Sequence, residues 1–246
     1  SFTQDHLAGV LMDKGDTDAA LDLYRNSLIL REKLVATDSH TGDWRFVLGV
    51  SHELIGNAYM RMAAHDDAVA AYGRELSVMS VLLEQDPENT RWRRVVAITE
   101  EKLGDAHLGA GNPGAALTQY QSSLARMSAA RDAAPDDLAT QRFTAVTLRK
   151  IGAAHLAAGA TGAALTAYSE SLAIARRLVE ADPLNARWQR DQLVAYKGVS
   201  DAGGDAEQTL QLALKAADEM KELGVLAQSD EPIVDALRQR LDTLDR

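Results

Sequence analysis

Four copies of one phrase, 48 residues apart, constrain this chain more than any other feature of it. Gly15–Leu28 reads GDTDAALDLYRNSL, Gly111–Leu124 reads GNPGAALTQYQSSL and Gly159–Leu172 reads GATGAALTAYSESL, while Ala63–Leu76 is a worn copy, AAHDDAVAAYGREL. Tyr24, Tyr72, Tyr120 and Tyr168 keep the step, as do Leu28, Leu76, Leu124 and Leu172, and Ala20, Ala68, Ala116 and Ala164. Pro87, Pro135 and Pro183 follow it too, as do Trp44, Trp92 and Trp188, with Thr140 in the gap. Internal repeats with a period of roughly 20–50 residues mark a solenoid, whose units each leave an apolar face that only a neighbour covers.

Within a copy the spacing is helical. Ala20, Tyr24, Ser27 and Leu28 lie at i, i+4, i+7 and i+8, and Val50, Leu54, Ile55, Ala58 and Tyr59 form a second apolar stripe upstream of the next copy. Between the stripes fall the breaks Gly15-Asp16, Ala64-His65-Asp66, Gly111-Asn112-Pro113 and Gly159-Ala160-Thr161. Glycine ends the first helix, Asp16, Asn112 and Thr161 are the expected caps of the second, and Pro113 suits a first helical position. A second break, Asp86-Pro87-Glu88-Asn89 or Asp182-Pro183-Leu184-Asn185, stops the second helix and offers Asn89 and Asn185 as caps for the next. Each unit is then a pair of helices of about 18–20 residues.

Leu or Ile followed by Gly, a ring three residues on, then a small residue, Ala and Tyr resembles the tetratricopeptide repeat. Ile55, Gly56, Tyr59, Ala68 and Tyr72 carry the pattern, as do Leu103, Gly104, His107, Gly111, Ala116 and Tyr120, and Ile151, Gly152, His155, Gly159, Ala164 and Tyr168. The first unit keeps Leu7, Gly15, Ala20 and Tyr24 but has Ala8 and Leu11. The usual repeat has 34 residues, so a period of 48 implies lengthened helices, similar to the long-helix arrays of bacterial multidomain proteins. The resemblance implies an all-α fold, an α-solenoid of antiparallel helix pairs in a right-handed superhelix, with a C-terminal capping helix. The whole chain, 1–246, would be one solenoid with units at 1–38, 42–86, 90–134 and 138–182, a degenerate unit at 186–228 and a cap at 231–245. The last unit is degenerate because the period slips after Trp188: Gly204-Asp205 arrives three residues early and Ala213 replaces the Tyr. Asp230 is the expected cap of the final helix, with Pro232 early in it.

Composition excludes more than it specifies. The net charge is −10, and only residues 145–192 are locally basic, at +2, so free nucleic acid is not an expected partner. There is no Cys, which removes disulfides, thiolate metal sites and Cys nucleophiles and fits a reducing, cytoplasmic setting. No apolar run approaches a membrane span and no signal pattern opens the chain, while the missing initiator Met reads as a fragment of something longer. The six histidines (His6, His40, His52, His65, His107, His155) contain no i, i+4 pair, and His107 and His155 share the column of Tyr59, so they read as rings in the packing. GAGNPG, from Gly109 to Gly114, matches a dinucleotide fingerprint in letters but spans a helix–helix turn, without the strand that fingerprint needs. No catalytic residue, metal or cofactor is expected.

Glycine inside a helix costs about 1 kcal/mol against Ala, so Gly56, Gly104 and Gly152 imply that something bulky approaches, and the Tyr column is the expected occupant. The Trp column should pack each first helix back onto the preceding unit. In proteins resembling this one the first helices line a concave groove that holds a peptide or a partner. Phase places Glu53 and Asn57, then Arg94, Glu101 and Asp105, then Arg142 and Arg149, then Arg190 and Lys197 on that lining. Arg94, Arg142 and Arg190 would grip carboxylates of an acidic or C-terminal peptide through forked hydrogen bonds. The alternative is that each Arg pairs with a neighbouring repeat's acid, such as Glu53, Glu101 or Asp105, and only sets the stacking. The Lys/Asn pair of the chaperone-tail clamp is missing at Asp5/Gly9, Glu53/Asn57, Glu101/Asp105, Arg149/Ala153 and Lys197/Asp201. The function expected is a non-catalytic scaffold binding a peptide or protein, away from membranes. The alternative is a regulatory or sensor arm of a larger bacterial protein whose effector domain lies elsewhere.

Overall fold

The computed structural model describes residues 2–37, 42–204 and 206–244. His40, Asp205 and Asp245, the last residue of the expected cap, lie outside the described residues, as does Asp38. Among the described residues the chain forms eleven α-helices, one 3-10 turn and no strand. In order these are α1 (Phe2–Asp13), α2 (Thr17–Thr37), α3 (Gly42–Arg61), α4 (His65–Gln85), α5 (Thr90–Gly109), α6 (Pro113–Ala133), α7 (Leu138–Ala157), α8 (Thr161–Ala181), α9 (Ala186–Asp201), α10 (Ala206–Glu222) and α11 (Glu231–Leu244), the 3-10 turn being Gln228–Asp230. Packing is mostly between chain neighbours, with α7 also touching α9 and α9 touching α11, which makes the architecture an all-α solenoid of antiparallel helix pairs. The chain divides into two compact units, residues 1–127 and 128–246, with the boundary inside α6.

The helix ends follow local chemistry. Asn89 caps α5, its side chain accepting from the backbone N–H of Arg91 and Trp92, and Asn185 caps α9 by accepting from Trp188. Asp137 does the same for α7, taking the N–H of Thr140 at 2.9 Å. Pro113 is the first residue of α6, where a missing N–H costs nothing. Thr161 is not a cap: α8 starts on it, and the N-cap is Ala160, which offers no side-chain acceptor. Asp230 stands just before α11, but its carboxylate goes to Arg190 rather than to the helix.

The tyrosines fill the seams between repeats. A Cβ built on Gly56 would lie 2.5 Å from Tyr72 Cε1, and Gly104 meets Tyr120 in the same way, so the missing side chain is what lets the ring in. Tyr72 packs with Ala68 and with Leu103 and Ala106 of the next first helix, and in the second unit Tyr168 packs with Ala164, Val199 and Ala202. Beyond the slip in period, Ala213 is fully buried with Leu193, Leu210, Met220 and Leu237, so α11 closes the apolar face of α10. The Trp column is less uniform than its spacing suggests. Trp92 packs back onto the preceding first helix against Phe46, ring centroids 5.4 Å apart, whereas Trp44 is 37% exposed.

Candidate functional site

Five of the nine groove residues lie on α3 and α5 of the first unit, and most of them are engaged within it. Asn57 Oδ1 accepts the Tyr72 hydroxyl at 2.7 Å, and Asp105 Oδ1 accepts the Tyr120 hydroxyl at 2.8 Å. A phenol driven into an apolar seam needs an acceptor, and the first helix supplies one at a constant offset of 15 residues. That offset is visible in the sequence, and it assigns Asn57 and Asp105 to the packing. Burial, with nearby carboxylates adding to it, pushes the Tyr72 hydroxyl well above its ordinary pKa. Glu53 pairs with Lys102, one repeat on, and Glu101 is buried. Arg94 is exposed and forms no ion pair among the described residues.

The other four, Arg142, Arg149, Arg190 and Lys197, lie on α7 and α9 of the second unit. Arg142 Nε stands 2.7 Å from Asp191 Oδ2 on the next first helix, a close ionic contact whose N–H is not aimed at the oxygen, so neither atom completes a hydrogen bond. Arg190 Nε donates to Asp230 Oδ1 at 2.5 Å, and that carboxylate is almost fully buried. Lys197 Nζ donates to Asp201 Oδ2 at 2.5 Å, while Arg240 of α11 reaches the other oxygen at 2.9 Å. Asp191 of the neighbouring first helix and Asp230 of the turn before α11 thus meet two of the arginines here. The Arg149 Nε is buried without a hydrogen-bond partner.

Arg31 and Glu75 are buried charges that the repeat columns do not reveal. Arg31 is 2% exposed; its guanidinium donates to Ser51 Oγ at 2.6 Å and to Asp5, and lies 5.6 Å from the Phe2 ring centroid. It joins α1, α2 and α3 at a position where later copies carry Met79, Met127 and Ala175. Glu75 is 2% exposed and replaces the Ser of the other copies. Thr99 Oγ1 donates to Glu75 Oε1 at 2.8 Å, and Oε2 has no partner. Burial pushes its carboxyl up to about 7, with Glu53 adding to the shift and the Thr99 hydrogen bond and Lys102 opposing it. Among the described residues no group of three His, Asp or Glu is placed to hold a metal ion, and no helix is long and apolar enough to cross a membrane.

A family model described as tetratricopeptide repeat matches residues 3–41. No curated protein matches the chain in sequence. Among solved structures, BtubC (BKLC) from P. vanneervenii is similar at a TM-score of 0.63 and 19% identity, over 87% of this chain and 78% of that one. Nearly identical TPR-like repeats from Podosopora anserina are similar at 0.63 and 16% identity, over 89% of this chain and 95% of theirs. The apo form of RapI is similar at 0.63 and 10% identity, over 98% of this chain and 83% of that one. At such identities these likenesses concern the fold. The chain thus carries a match to the tetratricopeptide-repeat model at residues 3–41 and shares the helix-pair fold of these structures over most of its length.

Proposed function

We propose that the protein is a cytoplasmic, non-catalytic scaffold that holds a peptide or partner protein on the stripe formed by its first helices, and that the stripe favours carboxylates. Tetratricopeptide folds are interaction scaffolds in general; the groove, the acidic or C-terminal ligand and the residues that grip it are our reading. What supports it is the charge on α7 and α9, which carry Arg142, Arg149, Arg190 and Lys197, together with the Arg149 Nε, buried without a hydrogen-bond partner. An unpaired guanidinium donor is costly, and a carboxylate would satisfy it with charge-assisted hydrogen bonds. In the first unit Arg94 is the group available for the same task. Arg142 and Arg190 are already paired with Asp191 and Asp230, so their removal should lower the melting temperature. The separating experiment is a pull-down from the native host with Arg149→Ala and with Arg94→Ala. Loss of a captured partner at unchanged melting temperature supports the reading, and retention of the partner by both variants overturns it.

A further inference from the structure

The face built from second helices in the first unit carries a cavity that the groove reading does not use. It has a volume of about 180 Å³ and lies between α2 and α4, with α3 as its floor. Arg25, His52, Tyr59, Asp67 and Arg74 line it, over Ile55. His52 is 6% exposed, and burial, then the charge of Arg74, hold its pKa below the usual value, so the imidazole enters neutral at pH 7. Arg25 donates to the Tyr59 hydroxyl at 2.8 Å; its ion pair with Asp22 is long, 3.5 Å, and exposed on both sides. Arg74 is exposed and has no ion-pair partner among the described residues.

The next repeat shows what belongs in such a place. Forty-eight residues on from His52 and Arg74 stand Glu100 and Ser122. Glu100 is 3% exposed, and its carboxylate is held by Ser122 Oγ at 2.8 Å and by Arg126 through Nε at 3.0 Å and Nη2 at 2.7 Å. In that copy the first helix supplies a carboxylate and the second helix binds it. In the second repeat Val78 stands where Arg126 does, Arg74 stands where Ser122 donates, Arg25 of the preceding second helix adds another cation, and the carboxylate has been replaced by His52. We propose that this cavity is a docking point for the carboxylate of an acidic side chain on a partner protein, which takes the place that Glu100 fills from within. Arg74 and Arg25 flank the incoming group, the His52 imidazole and the Tyr59 hydroxyl offer it neutral contacts from the floor, and Asp67 restricts entry to one side. The inference is independent of the groove, since none of these residues lies on the first-helix stripe.

The test is a titration of the 246-residue protein with the capped peptide acetyl-Glu-Glu-Glu-amide, read by the Cε1–H resonances of its six histidines. The expected result is a saturable shift confined to His52, weakened about tenfold by Arg74→Ala and strengthened by Asp67→Asn. Arg74 is exposed, so its truncation leaves the fold intact, as an unchanged circular-dichroism melt will show. His52→Glu provides the carboxylate from inside; it should abolish peptide binding, read on the Arg74 Nε–H signal, and raise the melting temperature. Shifts that never saturate, shifts spread equally over the histidines, or binding unchanged by Arg74→Ala overturn the proposal. Tighter binding of inorganic phosphate than of the peptide also overturns it, by reassigning the cavity to a phosphate-bearing ligand.

Discussion

The two compact units are written with the same repeat, yet the first bends its rules where the second keeps them. In the column of Ala175 the first unit places Arg31, in the column of Ser171 it places Glu75, and in the column of Gly159 it places Ala63. Ser171 shows the ordinary solution, its hydroxyl donating to the Ala145 carbonyl at 2.7 Å and leaving nothing buried and charged. Glu75 in the same slot has only Thr99 for one oxygen and nothing for the other. Ala63 adopts φ 54° where Gly15, Gly111 and Gly159 adopt φ of 85°, 77° and 76°. A period therefore specifies where a side chain goes; whether a charge at that place is tolerated depends on partners from other helices.

Returning each departure to its column breaks or sharpens the contrast. The largest effect belongs to Arg31. Arg31→Met leaves Asp5 without its buried partner and should cost about 3–5 kcal/mol in chemical denaturation, while the double variant with Asp5→Ala should recover most of it. Full stability in the single variant would show the ion pair to be incidental. Glu75 comes next, through pH. Its folded pKa is raised above the unfolded value, so the stability it contributes is complete below pH 4.5 and is lost as the pH rises through about 7. Glu75→Gln should match the wild type near pH 4.5 and exceed it by on the order of 2 kcal/mol at pH 8, a comparison of two urea melts. Equal pH profiles would mean that Glu75 ionises freely. The smallest change is Ala63→Gly, which relieves a left-handed backbone and should add about 0.5 kcal/mol after the entropy cost of glycine; Gly159→Ala in the second unit should do the reverse, by more.

Much of the fold was legible because it rests on short-range rules. Pro113, Asn89 and Asn185 act on backbone groups within three residues, and the Gly56–Tyr72 approach joins neighbouring helices of one repeat. Where the rule was applied one residue off, at Thr161, the error lay in the boundary and not in the helix. The candidate site was legible as a list of residues but not as a set of bonds. Nothing in the spacing of Arg190 says that Asp230, 40 residues away and across a slip in the period, will meet it. The same holds for Trp44, whose column predicts packing and whose place in the first unit leaves it exposed.

From the amino-acid sequence alone came the period, the pairing of helices and the ring-against-glycine seams, because apolar burial and helix capping depend on residue type at fixed spacing. The tertiary structure decided which cations already have a carboxylate, which buried acid lacks one, and that His52 stands in a cavity where its counterpart Glu100 is clasped by Arg126. Those outcomes turn on directions and distances of a few ångströms between helices, over which a charge is either compensated or left needing a partner.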